Sequence, residues 1–291
     1  MPPFLLARYK ATPDDCVLFR TVCRIQQMHL ADEGIQMDNI TVERDDQITI
    51  IQINRPERRN AVNGPTAREL VDAFTEFEND KEALVAILAG TNGTFCAGAD
   101  LKGVAEGNGN RVTPDGDGPM GPSRMLLSKP VIAAVEGFAV AGGLELAMWC
   151  DLRVAAEDAV FGVYCRRWGV PLIDGGTIRL SRMLGHSHAL DMILTGRGVS
   201  GEEARLMGLA NRLVAKGQAL AEARQMAKQL CGFPQLCMRS DRMSSYQQWD
   251  LDFPGALLNE TQLGLEVIKS GETLDGAQRF ASGAGRHGQF D

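Results

Sequence analysis

Apolar and polar positions alternate over residues 47–53 (QITIIQI), the two-residue period of a strand, and Asn54-Arg55-Pro56 ends the run. Residues 63–79 change period. Ala67, Leu70, Val71, Phe74 and Phe77 recur at helical spacing there, which predicts an amphipathic helix. Two continuous apolar runs, 83–89 (ALVAILA) and 131–135 (VIAAV), read as fully buried strands; residues 90–93 turn the chain after the first and Gly137 stops the second. Residues 142–150, rich in Leu, Ala and Met, predict a helix. A short strand over 152–155, a turn at Glu157-Asp158 and a strand fragment at Val160-Phe161 follow. From Thr177 the pattern is mostly helical, over 177–184, 187–195, 200–207, 219–231, 234–245 and 257–269, with a short strand at 209–214. Strand–strand–helix units followed by a helical tail define an α/β fold class, the tail packing on the core or on a neighbouring subunit. Three segments are expected: an N-terminal extension over 1–37, a core over 38–195 and a helical C-terminal region over 196–291.

One long stretch, 107–122 (GNGNRVTPDGDGPMGP), carries no pattern. Loops of this length are commonly functional, and this one directly follows a glycine-rich turn; a tolerated surface insertion is the equal alternative.

The 291 residues leave ample room for a core. The net charge of −7 speaks against a nucleic-acid partner, which calls for a basic face. It leaves room for an anionic small ligand held by a few local cations. The seven cysteines are an odd number without metal-ligand spacing, and read as reduced thiols of a cytoplasmic protein. No apolar run approaches a membrane span. Residues 1–37 lack the pattern of a secretory signal, and Asp14, Asp15, Asp32 and Glu33 do not suit a transit peptide. They read as a helical extension or as residues upstream of the true start.

Candidate chemistry sits on two glycine-rich turns, each after an apolar run. In Cys96-Ala97-Gly98-Ala99-Asp100, small residues let a ligand lie against the main chain. The alternative is a tight turn with Asp100 as a helix N-cap. Val140-Ala141-Gly142-Gly143-Leu144-Glu145 opens a helix, whose first N–H groups lack partners and whose dipole is positive there. Close helix packing that needs glycine is the alternative. Two N–H groups held open can grip one developing oxyanion, and a carboxylate in apolar surroundings can move a proton. Glu145, in Leu144-Glu145-Leu146-Ala147-Met148-Trp149, supplies the carboxylate; otherwise it pairs with an arginine such as Arg153.

Taken together, these stretches resemble the enoyl-CoA hydratase/isomerase family, the crotonases. The resemblance rests on Asn54-Arg55-Pro56 with Asn60-Ala61; on Phe95-Cys96-Ala97-Gly98-Ala99-Asp100-Leu101-Lys102; and on Lys129-Pro130-Val131-Ile132-Ala133-Ala134-Val135-Glu136-Gly137. It continues through Ala141-Gly142-Gly143-Leu144-Glu145-Leu146-Ala147 with Cys150-Asp151, then Phe161-Gly162, Thr195-Gly196, Glu202-Glu203-Ala204 and Gly208-Leu209-Ala210 with Val214. It covers residues from about 40 to about 271. It implies a ββα spiral core that binds acyl-coenzyme A, a helical C-terminal region, and assembly as trimers or pairs of trimers. It also implies an enolate held at the thioester oxygen by two backbone N–H groups, here those of Ala99 and Gly142, with Glu145 as catalytic acid/base. Coenzyme A would run past Glu57, Arg58 and Arg59 and past Ala97 and Ala99, with Arg58, Arg59 and Lys102 as phosphate partners or as solvated charge.

The chain departs from that pattern at one position. Family hydratases carry a second glutamate four residues after the Phe of the Phe-Gly pair, and here that residue is Cys165. A thiol titrating near about 8.5 is a poor substitute for a carboxylic acid, and no adjacent histidine activates it as a nucleophile. Asp174, in Pro171-Leu172-Ile173-Asp174-Gly175-Gly176, either compensates by facing the acyl group or caps the helix from Thr177. Tyr164, Arg166, Arg167 and Trp168 are candidates for reshaping the acyl pocket. The four histidines, His29, His186, His188 and His287, show no ligand spacing, so no metal and no cofactor beyond the coenzyme A of the substrate are expected. The expected activity is syn addition of water to a 2-enoyl-CoA. The alternatives are enoyl-CoA isomerisation, CoA-ester or C–C bond hydrolysis, and a non-catalytic CoA- or RNA-binding scaffold. The last would show a lysine-rich exposed helix, and residues 219–231 are mixed in charge.

Overall fold

The computed structural model describes residues 39–285; the expected extension over 1–37 lies outside the described residues. Strand β1 (Ile40–Asp45) runs antiparallel to β2 (Ile48–Ile53). Next to β2, in parallel, lie β3 (Val85–Gly90), β4 (Val131–Val135), β6 (Leu152–Ala156) and β9 (Arg212–Val214). A smaller sheet pairs β5 (Phe138–Val140) parallel to β7 (Val160–Gly162), and β7 antiparallel to β8 (Gly198–Ser200).

Strand alternation divides the core into two layers. Ile48, Ile50, Val85, Ile87, Ile132 and Val154 pack against Ala219, Ala223, Met226 and Ala227 of helix α6 (Ala219–Cys231). Helix α1 (Gly64–Asn79) lies against β1 and β2 with Leu70, Phe74 and Phe77 fully buried, each such side chain contributing about 1.5–3 kcal/mol. Its start is set by Asn63, whose side chain accepts from the Thr66 N–H at 3.0 Å. The remaining helices are α2 (Leu101–Ala105), α3 (Gly142–Trp149), α4 (Gly176–Thr195) and α5 (Gly201–Met207), then α7 (Gln235–Gln247), α8 (Phe253–Ser270) and α9 (Glu272–Ala281). Gly185, at φ 73°, interrupts α4 and accounts for the two helical patterns expected over 177–195.

The pattern missed several elements. Strand β1 is an edge strand with four consecutive exposed residues, so its sequence ITVERD carries little apolar signal; Arg224 of α6 holds it through Glu43 and Asp45. Strands β5 and β8 have three residues each, too few for a period. Helix α9 contains Gly276 and buries no residue, and α8 starts at Phe253 rather than Leu257 because Asp252 caps it on the Gly255 N–H. The strand expected over 209–214 begins only at Arg212; the Leu209 carbonyl instead accepts from Arg153 Nε at 2.6 Å.

Candidate active site

The two glycine turns meet because Cys96 pairs with β5. The Cys96 N–H donates to the Phe138 carbonyl at 2.8 Å, and the Val140 N–H donates to the Cys96 carbonyl at 3.1 Å. Gly98 (φ 95°) then lies so close to the second turn that a Cβ on it would sit 2.9 Å from the Ala141 Cβ and 3.0 Å from the Gly142 nitrogen. Val62 bonds to the Gly98 carbonyl and the Asp100 N–H, at 2.8 and 2.9 Å, so the Ala99 N–H between them finds no acceptor among the described residues. Gly142 opens α3 and its N–H has no intrahelical acceptor. Ala141, at φ 54° and ψ −124°, makes the sharp bend that begins the helix. Asp100 does cap α2, accepting from the Gly103 N–H at 3.0 Å, and it pairs with buried Arg55 at 3.0 Å.

Both turns open into a cavity of about 520 Å³, which Ala97, Ala99, Gly142, Glu145, Cys165 and Asp174 all line. Glu145 is 2% exposed. Its Oε1 accepts from the Asp174 N–H at 2.9 Å and the Gly176 N–H at 2.8 Å. Burial, and next the charge of Asp174, push its pKa up to about 7; the two peptide N–H groups and Arg179 oppose them. The alternative pairing with Arg153 is overturned. Arg153 spends its guanidinium on the carbonyls of Cys150 and Leu209, at 2.7 and 2.6 Å, and on Asn211.

The capping reading of Asp174 is overturned as well. Gly175 occupies the cap of α4, without a side-chain bond. The Asp174 carboxylate is buried and turns to the 107–122 loop and the segment after it, accepting at Oδ1 from the Met120 N–H (2.9 Å) and from the Ser123 hydroxyl. Arg179 donates to the carbonyls of both Asp174 and Ser123, at 2.7 and 2.8 Å, and so ties these two segments together. Met120 packs on the second turn, where a Cβ at Gly142 would lie 2.5 Å from its sulfur. Asn110, Val112, Pro119 and Met120 line the cavity. The patternless stretch is therefore a cavity wall, and the surface-insertion reading falls.

Cys165, 7% exposed, lies in a 3-10 turn over Tyr164–Trp168 on the cavity wall. Burial, and secondarily Glu145, raise its thiol pKa. Tyr164 and Trp168 line the cavity as well. Arg166 and Arg167 do not: they bond the carbonyls of Ile193 (3.1 Å) and Gly196 (2.9 Å), and so hold the turn in place. Arg58, Arg59 and Lys102 border a shallow depression that shares Arg59, Ala97, Ala99 and Leu101 with the main cavity. Arg58 approaches Glu106 at 3.6 Å.

Met120, Ser123 and Arg179 were missed by the sequence pattern. Each acts through a contact across the fold, and none belongs to a local motif. Among the described residues, five cysteines are free thiols, His186 and His188 are exposed, no cluster of three His, Cys, Asp or Glu could hold a metal ion, and no helix is long and apolar enough to cross a membrane.

The family model for enoyl-CoA hydratase/isomerase matches residues 43–283. Enoyl-CoA hydratase EchA19 of Mycobacterium tuberculosis is 36% identical over 251 residues, which span 82% of this chain and 92% of that protein. The short-chain-enoyl-CoA hydratase of Clostridium acetobutylicum is 32% identical over 257 residues, spanning 84% and 95%. A crystal structure of an enoyl-CoA hydratase from Mycobacterium tuberculosis H37Rv matches with a TM-score of 0.80 at 36% identity, covering 84% of this chain and 96% of that one.

Proposed function

The chain belongs to the enoyl-CoA hydratase/isomerase family, and on that premise we propose that it adds water across the double bond of a 2-enoyl-coenzyme A thioester. The observation that carries this reading is the meeting of the unpaired Ala99 and Gly142 N–H groups with buried Glu145 in one cavity. The thioester oxygen sits between the two N–H groups, which favour the enolate over the ground-state carbonyl because its charge is larger. Water attacks the β-carbon and a proton reaches the α-carbon. With its pKa near neutrality, Glu145 can both take and return that proton. Cys165, at the position to which the family resemblance assigns a second glutamate, lines the cavity, and its raised pKa keeps it a neutral thiol. Asp174, with Oδ1 committed to Met120 and Ser123, offers Oδ2 as the second acceptor for the water. The coenzyme A moiety follows the depression bordered by Arg58, Arg59 and Lys102. Leu257, Leu258, Leu265, Ile268, Leu274 and Phe280 are exposed on α8 and α9, an apolar surface that a neighbouring subunit of a trimer, or of a pair of trimers, would cover.

Loss of the enoyl absorbance of crotonyl-CoA tests the proposal. Wild type consumes the substrate, and Glu145→Gln falls by about a hundredfold or more, the scale of a lost general acid/base. An inert wild type that still binds coenzyme A thioesters would move the reading to double-bond isomerisation. That Glu145 and Asp174 both line the cavity favours that second reading, since two carboxylates can relay a proton along an acyl chain without adding water.

A further inference from the structure

A second cavity, of about 370 Å³, shares no lining residue with the first. It begins where the catalytic wall ends: Asp174 borders one cavity, and Gly175 and Arg179 border the other. Four arginines line it, Arg124, Arg179, Arg182 and Arg242, and among the described residues no Asp or Glu does. That concentration of positive charge occurs in a chain whose net charge is −7.

Among the described residues, one of the four has a carboxylate within ion-pair distance. Arg242 bonds Asp151 at 2.8 Å, and Asp151 is filled further by the Tyr246 hydroxyl (2.7 Å) and the Val131 N–H (2.8 Å). Arg124 donates to backbone carbonyls, that of Thr113 first at 2.9 Å. Arg179 donates to the carbonyls of Asp174 and Ser123, two of the five N–H donors a guanidinium carries. Arg182 lies over the Trp249 ring, 4.6 Å from its centroid. Carbonyl and ring contacts orient the guanidinium groups of Arg124 and Arg182 without neutralising them, whereas Arg179 also feels the charges of Glu145 and Asp174 from the first cavity.

The rest of the lining is apolar. Leu127, Val131, Met148 and Trp149 form a buried inner wall, and Ile178 and Trp249 stand at the exposed edge beside Arg182. Apolar walls with a few placed charges are the usual make-up of small-molecule sites, and the volume lies in their range. A bare inorganic anion would leave the apolar wall uncovered; a neutral lipid would leave the arginines unpaired.

We propose that this cavity binds an amphiphilic monocarboxylate, its head between Arg182 and Arg179 and its tail on Trp149, Met148 and Leu127. One residue, Asp174, links the site to the Glu145 carboxylate, because Arg179 holds its carbonyl and its N–H holds Glu145. The inference is independent of the reaction assigned to the first cavity.

Titration calorimetry with octanoate tests it, on the full chain with the first cavity saturated by butanoyl-CoA. The expected result is one octanoate per subunit under that saturation. Binding weakens about tenfold or more in Arg182→Gln, as for a lost hydrogen bond to a charged group. Octan-1-ol binds at least about tenfold more weakly than octanoate. Circular dichroism of the variant establishes that it folds. Four results overturn the proposal: octanoate displaced by butanoyl-CoA, an affinity unchanged in the folded variant, an affinity equalled by octan-1-ol, and no binding at all. A protein that fails to bind butanoyl-CoA yet binds octanoate through the arginines would sink the hydratase reading and leave this one standing.

Discussion

The peptide N–H of Asp174 donates to Glu145 Oε1 at 2.9 Å, while the carboxylate of the same aspartate turns to the opposite partners, Met120 and Ser123. One residue thus holds the candidate acid/base by its backbone and repels its charge by its side chain. The two effects act on Glu145 in opposite directions. The N–H bond favours the carboxylate and the neighbouring charge favours the acid, and together with burial the balance places Glu145 at about 7.

Asp174→Asn separates them. The amide keeps an acceptor for Met120 and Ser123 and leaves the peptide on Glu145 in place, but it removes the charge and the second proton acceptor. Turnover should fall by about a hundredfold, and the inflection that Glu145 gives near pH 7 should move to lower pH. A pH–rate profile of the variant checks both. Unchanged turnover would place the water-handling group elsewhere.

Glu145 also makes stability depend on pH. The folded protein holds its proton up to about pH 7, whereas the unfolded chain releases it near the ordinary 4.5. Between those values the native state binds more protons, so stability falls as pH rises through that window and is level above it. The buried carboxylate therefore costs on the order of 3 kcal/mol at most above pH 7. Glu145→Gln does not titrate and keeps an acceptor for the Asp174 and Gly176 N–H groups. The variant should melt several degrees above wild type at pH 8, with the gap closing toward pH 4.5. Paired melting curves across that range give the answer; a constant gap would mean the carboxylate is not desolvated.

How much of this was legible before folding depends on where the information lies along the chain. The strand over 48–53 and helix α1 announce themselves by period, and the strands over 85–90 and 131–135 by unbroken apolar runs, because those two are buried on both faces. The two glycine turns and Glu145 were legible for a different reason: each is a compact stretch whose small residues have a local physical meaning. Asp174 was visible only as a choice, since whether a carboxylate before Gly175-Gly176 caps α4 or turns away is decided by Met120 and Ser123, more than fifty residues earlier. Arg179 left no signal at all. An arginine on a helix reads as solvated charge until the carbonyls of Asp174 and Ser123 are brought to it.

Gly98→Ala tests the contact between the turns. A methyl group there meets the Ala141 Cβ at 2.9 Å and the Gly142 nitrogen at 3.0 Å, and φ 95° is unfavourable to any L side chain. The turns must part, and the Ala99 and Gly142 N–H groups part with them. Loss of one donor to an oxyanion costs about a hundredfold to a thousandfold in rate. The variant should therefore lose kcat by at least about a hundredfold while still binding butanoyl-CoA. Loss of binding with kcat intact would mean that the turns shape only the coenzyme A path.

Cys165 offers a direct reading of the electrostatics of the cavity, because its thiol feels Glu145 and can be labelled. Alkylation needs the thiolate. Burial and the Glu145 charge both suppress it, whereas Cys237 is exposed. With iodoacetamide at pH 8, peptide mapping should find Cys237 modified well before Cys165. Glu145→Gln removes the like charge without opening the wall, so labelling of Cys165 should accelerate while that of Cys237 stays the same. The comparison isolates charge from access: burial is common to both proteins and the carboxylate is not. A Cys165 that labels first in wild type would contradict a neutral bystander thiol and mark it as the more reactive group of the site.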